Sequence, residues 1–162
     1  MILLTIGTQL PFDRLVKALD EISPSLNRPI FGQIGKSSYR PTSFQWAERL
    51  APKDFDEKFS AATVIVSHAG IGTILTAQKY GKPIILFPRE ARFGEHRNDH
   101  QLATCNQLAG RPGIGVARTP RELFLLIQSG TLVGASAEEL QQKRDAFVAN
   151  LGRKIAILAG GR

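Results

Sequence analysis

Cysteine is all but missing. Cys105 stands alone among 162 residues, which excludes an internal disulfide and the multi-cysteine zinc patterns, and it reads as a small core residue in a reducing compartment. Long apolar runs are missing as well. No stretch approaches the roughly 18 apolar residues of a membrane-spanning helix, and the chain opens directly on a strand, with no charged leader and no cleavage site. The expectation is a cytoplasmic protein, any membrane contact of which is peripheral or through a partner. Acidic residues are in deficit: 14 Asp and Glu face 21 Lys and Arg, a formal net charge of +7, which suits an anionic partner such as a nucleotide, a lipid surface or nucleic acid. Histidine is scarce too. His96 and His100 share i, i+4 spacing, but His68 lies far off in sequence and no third ligand is evident, so no metal site is expected. Nothing repeats at a fixed period, and no segment is of low complexity.

What is present is alternation. Ile2 to Ile6 reads as a strand ended by Gly7 and Thr8; Leu15, Leu19 and Ile22 then keep helical spacing behind Pro11 and Asp13. Pro29 to Ile34 and Phe44 to Ala47 read as further strands, with a polar loop between them. Asp54 is expected to cap a short helix through Ala61. Val64 to Ser67 reads as a buried strand leading to a helix from about Ile71 to Tyr80, and Ile84 to Phe87 as a strand stopped by Pro88. A helix from about Asn98 to Leu108, a strand Ile114 to Ala117 and a helix Pro120 to Gln128 follow, then a longer helix from Ala137 to about Leu151, capped by Ser136. Short strands separated by helices imply parallel βαβ units. One domain over 1–162 is expected, α/β, with a Rossmann-like doubly wound sheet and ligands beyond the carboxyl ends of its strands.

Residues 63–83, TVIVSHAGIGTILTAQKYGKP, carry the strongest local signal. A buried strand runs into His68, Gly70 and Gly72 and then into a helix, whose N-terminus offers unpaired N–H groups and a positive dipole end to a diphosphate. Position 75 is Leu, so the three-glycine dinucleotide fingerprint is absent; no P-loop is present, and no acidic residue closes the second strand to hold a ribose. His68 either donates to a phosphate or sugar oxygen or caps backbone. Asp54-Phe55-Asp56 spells the D-x-D of metal-dependent sugar-nucleotide enzymes, but at the opening of a helix N-capping accounts for it better. Arg89, Arg92 and Arg97 sit at the ligand edge, suited to a phosphate or carboxylate. Phe93 is the one aromatic nearby, so no nucleic-acid partner is expected.

HAGIGT after an apolar strand, G-K-P opening the next strand and FGEHRNDHQ opening the next helix together resemble the donor-binding half of glycosyltransferase family 28. The opening LLTIGTQLPFDRLVKALD resembles that family's stand-alone members, the small subunits of two-part bacterial exopolysaccharide transferases and of the dolichol-linked chitobiose synthase. The resemblance implies the C-terminal half of a GT-B fold that binds a UDP-sugar as donor substrate without a metal or other cofactor. Its partner would be a membrane-anchored acceptor-binding subunit, and its acceptor a lipid-linked saccharide. Carried over by position, Gly7 and Thr8 lie by the diphosphate, as do His68, Ala69, Gly70, Gly72 and Thr73, while Asn98, Asp99 and Gln101 hold the donor sugar. Thr76 stands where many relatives have a ribose-binding carboxylate. No carboxylate is a clear general base, so the base is expected on the partner, with His68 left a donor-side role. The arginines would suit a carboxylated sugar such as glucuronic acid. An alternative of another class is a non-catalytic partner that stabilises or recruits a membrane glycosyltransferase.

Overall fold

The computed structural model describes residues 1–134 together with Ser136, Glu138, Glu139, Gln141, Gln142, Asp145 and Ala149. Six strands alternate with helices: β1 (Ile2–Thr5), α1 (Asp13–Ile22), β2 (Ile30–Gln33), β3 (Gln45–Ala47), α2 (Pro52–Ala61), β4 (Val64–His68), α3 (Ile71–Lys79), β5 (Ile84–Phe87), α4 (His100–Leu108), β6 (Ile114–Val116) and α5 (Pro120–Ser129). All pairings are parallel, in the order β3-β2-β1-β4-β5-β6. This is the Rossmann-like doubly wound sheet that the strand and helix alternation implies.

Strand alternation divides the core between the two faces of the sheet. Ile2, Leu4, Val64, Val66, Ile85 and Phe87 face α1 and α5, meeting Leu15, Leu19, Leu123 and Ile127. Leu3, Ile65, Ile84 and Leu86 face the opposite way, onto Phe59 of α2, Ile74 and Ala77 of α3, and Cys105 of α4. Each fully buried Leu, Ile or Phe contributes roughly 1.5–3 kcal/mol, so the central strands β1, β4 and β5 form the rigid floor from which the loops at their carboxyl ends project. The α1 side is tied by polar contacts as well. Asp20 is buried and accepts from the Tyr39 hydroxyl (2.8 Å) and the Ser43 amide (2.8 Å), and these bonds hold its carboxyl below the usual range against the opposing effect of burial.

Two local expectations change. Asp54 does not cap α2: the helix opens two residues earlier, at Pro52 behind the extended Ala51, because proline's fixed φ and missing N–H suit the first helical position. Asp54 is then the third helical residue, where its charge favours the dipole without closing a cap. α4 begins at His100 rather than Asn98, and Asp99 flanks it. Ser136 and Glu139 do form a reciprocal cap, the Glu139 amide donating to Ser136 Oγ (3.1 Å) and the Ser136 amide to the Glu139 carboxylate (2.7 Å); most of the helix expected to follow, to about Leu151, lies outside the described residues. Among the described residues no helix is long and apolar enough to cross a membrane.

Candidate functional site

β1 leads through α1 to β2 on one side, and β4 leads through α3 to β5 on the other. The loops that leave these neighbouring strands therefore diverge, and a crevice opens between them. A cleft of about 510 Å³ lies there, with Gly7, Thr8 and Leu10 on the β1 side and His68, Gly70, Gly72, Thr73 and Thr76 on the β4 side. Gln9, Phe55, Arg89, His96 and Gln101 also stand in the wall, and among the described residues no Asp or Glu lines it.

The N-terminus of α3 faces this cleft unsatisfied. Gly70 precedes the helix in extended conformation, no side chain caps it, and the first turn carries no acid. The first intrahelical bond runs from the Ile74 amide to Gly70 O (3.2 Å). Among the described residues nothing accepts from the amides of Ile71, Gly72 and Thr73, which leaves three donors at the positive end of the dipole. The two glycines differ in what requires them. A Cβ on Gly70 would lie well inside van der Waals contact of His68 Nε2, so the fold demands glycine there; a Cβ on Gly72 would meet nothing within 4 Å. Gly72 leaves room that no described residue uses.

His68 ends β4 wedged between Gly70 and Gly7, whose φ of +77° is left-handed and whose Cβ, if added, would lie 3.1 Å from His68 Cε1. The Ser67 hydroxyl donates to Thr5 O (2.8 Å), so only its lone pairs face His68 Nδ1 at 3.3 Å. This network assigns the proton to Nδ1 and a lone pair to Nε2, on the Gly70 side. Burial, with Arg89 and His96 nearby, lowers the imidazole pKa to about 4, so it is neutral at physiological pH.

Gln101, on α4, binds the ends of two strands: Oε1 accepts from the amides of Ala69 (3.2 Å) and Arg89 (3.0 Å). Both partners are donors, which fixes the amide orientation and leaves Nε2 as its free polar atom in the cleft wall. Arg89 donates to the carbonyls of Ile6 (3.0 Å), Leu10 (3.0 Å) and Pro11, with its guanidinium 4.5 Å from the Phe12 ring centroid. Thr76 donates to Gly72 O (2.8 Å) and keeps its lone pairs toward the cleft.

Of the residues singled out from the sequence, Gly7, Thr8, His68, Gly70, Gly72, Thr73 and Gln101 come together around one cleft. Ala69 is buried behind it, its amide spent on Gln101. Asn98 and Asp99 do not line it: Asn98 Oδ1 lies 3.0 Å from His96 Nδ1, and Asp99 accepts from the Ala91 amide (2.8 Å), so both shape the loop before α4. Asp54 and Asp56 also lie outside the lining. Phe55 and His96 also line the cleft; the Phe55, Phe59 pair at i, i+4 is the sequence signal for Phe55, and His96 belongs to the FGEHRNDHQ motif without being singled out there as a site residue. Arg92 pairs with Glu90 (2.7 Å), and neither it nor Arg97 lines the cleft. Among the described residues no group of three His, Cys, Asp or Glu could hold a metal ion.

Solved structures similar to this fold include glycosyltransferases. The glycotransferase of kitacinnamycin superposes with a TM-score of 0.66 at 19% identity, covering 91% of this chain and 39% of its own. SsfS6 of Streptomyces sp. SF2575, complexed with thymidine diphosphate, gives 0.57 at 21% identity over 89% of this chain and 35% of that one. MurG of Acinetobacter baumannii gives 0.54 at 23% identity over 81% and 42%. The chain thus spans well under half the length of these proteins, in which this architecture is the C-terminal half of a GT-B fold. No curated protein sequence matches. The sequence profile of the glycosyltransferase family 28 C-terminal domain matches residues 1–154, and the chain belongs to that family.

Proposed function

We propose that this chain binds the UDP-sugar donor of a glycosyltransferase, and that a membrane-anchored acceptor-binding polypeptide completes the active site. The observation that carries the proposal is the open N-terminus of α3, with three unpartnered amides beside the unfilled space at Gly72. In such a transfer an acceptor hydroxyl displaces the nucleoside diphosphate, and negative charge grows on the departing group. Fixed N–H donors and a helix dipole stabilise that charge in place of a divalent ion. Gly7 flanks the diphosphate from the β1 side, and Gln101 Nε2 offers a donor to a sugar hydroxyl. Among the described residues no acid stands in the cleft wall, and the base that deprotonates the acceptor is assigned to the partner. The family resemblance suggests a lipid-linked saccharide in exopolysaccharide synthesis, at the inner face of the membrane. A carboxylated sugar gains no support from the arginines, since Arg89 is bound to carbonyls and Arg92 to Glu90.

Calorimetric titration with UDP, thymidine diphosphate and UDP-sugars tests the proposal, with Gly72→Asp alongside. Aspartate in the first turn favours the helix but places a carboxylate where the diphosphate is expected, so binding should vanish while folding is kept. Equal or absent heats for both proteins would sink the proposal. Tighter binding of thymidine diphosphate than of UDP would change the base. Thr76, whose hydroxyl is turned to Gly72 O where a ribose-binding carboxylate is common, favours the second assignment, a non-catalytic stabilising partner. That one would be right if transfer by the co-expressed pair survived His68→Ala and Gln101→Ala undiminished.

A further inference from the structure

Arg89 is a buried cation. It is only 2% exposed, and among the described residues it forms no ion pair. The nearby carboxylates are engaged elsewhere: Arg14 takes Glu95 (2.7 Å) and approaches Glu90 (3.7 Å), and Arg92 takes Glu90. Burial alone draws the Arg89 pKa down to about 10, with Glu95 opposing, yet it stays charged at neutral pH. An isolated charge in a dry site is costly, and an apolar residue of similar size would be cheaper. What the charge does is set by where it reaches. From the end of β5 the side chain passes β4 to β1 and draws the carbonyls of Ile6, Leu10 and Pro11 inward. Every peptide is trans, so pulling Ile6 O toward the guanidinium turns the Gly7 amide the opposite way. Among the described residues that amide has no acceptor, and Gly7 lines the cleft.

We propose that Arg89 is the positioning residue of the donor site: its fork holds the loop 6–11 with the Gly7 amide turned to the cleft, and its unpaired charge is balanced by the diphosphate when the donor binds. The proposal rests on the donor assignment above. Fork and charge are separable, because lysine keeps the cation but cannot serve three carbonyls at once.

The experiment compares the full chain with Arg89→Met, Arg89→Lys and, as a control for simple charge removal, Arg97→Gln, which alters an exposed residue outside the cleft. Affinities for UDP and for inorganic pyrophosphate are measured by calorimetry, and the His68 ring proton is titrated by NMR without ligand. Arg89→Met should weaken both probes about thirtyfold, and Arg89→Lys about tenfold, the scale of one or two lost charge-assisted bonds. Arg97→Gln should stay within about twofold. His68 should titrate at higher pH in Arg89→Met and remain depressed in Arg89→Lys, a readout that a merely structural arginine would not sort by charge. Affinity within about threefold of wild type in Arg89→Met overturns the proposal, as does an unmoved His68 titration. If the methionine variant does not fold, the same affinity criterion on Arg89→Lys decides. Wild type binding neither probe overturns the donor assignment and this proposal together, whereas wild type and Arg89→Met binding alike overturns this proposal alone.

Discussion

An imidazole wedged between two glycines has little access to water, and for His68 the nearest charged or titratable groups, Arg89 and His96, both oppose a second proton. The folded protein therefore holds His68 neutral down to about pH 4, while in the unfolded chain it protonates near its ordinary value of about 6.5. Between those values the unfolded state binds more protons, so stability falls as pH drops from about 6.5 to 4 and levels off below, by up to roughly 3 kcal/mol. Melting temperatures of wild type and His68→Gln between pH 4 and 7 check this: the variant should lose most of the slope, and parallel curves would show that His68 does not cause it. The same state bears on binding. Nε2 carries a lone pair, so a phosphate oxygen beside it is accommodated only once that nitrogen has gained a proton. An anion in the cleft supplies the favourable field for that gain, which Arg89 and His96 otherwise deny.

At the scale of the element, α3 shows what the sequence disclosed and what it withheld. The strand before it, the glycine break and the helical period after it were all readable in VIVSHAGIGTILTAQK, because burial and turn geometry act on neighbouring residues. Gly70 and Gly72 look alike in that string, yet one is required by the His68 ring and the other faces empty space. Asp54 was misread for a related reason: aspartate suits both a cap and a first turn, and Pro52 decides between them. The roles of Arg89 and Gln101 were beyond local reading. Arg89 sits in a charge run that usually marks a solvated face, and its partners lie some eighty residues earlier in the loop after β1. Only the strand order, with β4 between β5 and β1, brings them together. The glycine contrast is open to measurement. Gly70→Ala should destabilise the protein by about 1–3 kcal/mol through overpacking against the imidazole. Gly72→Ala should instead raise stability by about 0.5–1 kcal/mol, since the helical conformation suits alanine and no atom is in the way. It should also weaken UDP about tenfold by crowding the amides that a phosphate would use. Denaturant melts and calorimetry on the two variants read both effects, and a Gly72→Ala protein that gained stability without losing affinity would remove the ligand from that space.

At the scale of the whole molecule, the distribution of charge divides the chemistry. The chain carries a net charge of +7, and its cleft is walled by glycines, hydroxyls, two histidines, two glutamines and a buried arginine, with no carboxylate among the described residues. On the proposed function, that composition suits a departing diphosphate and leaves no carboxylate among the described residues to activate a sugar hydroxyl. His68 is too weak a base for the task at a pKa of about 4, and its Nε2 faces the glycine loop that the diphosphate would occupy. Donor binding and catalysis should therefore separate. The chain by itself should bind UDP-sugar and release no UDP above the uncatalysed rate, even with a lipid-linked acceptor present, because no carboxylate among the described residues of the cleft wall is there to take the acceptor's proton. Adding the acceptor-binding subunit should start transfer. In that pair Gly72→Asp should abolish turnover by preventing donor binding, whereas replacing the partner's base should abolish turnover and leave the donor affinity of this chain unchanged. Measuring UDP release and UDP-sugar affinity side by side in the four combinations checks the division. Turnover by this chain alone, lost on His68→Gln, would place the base here and refute the assignment of catalysis to two polypeptides.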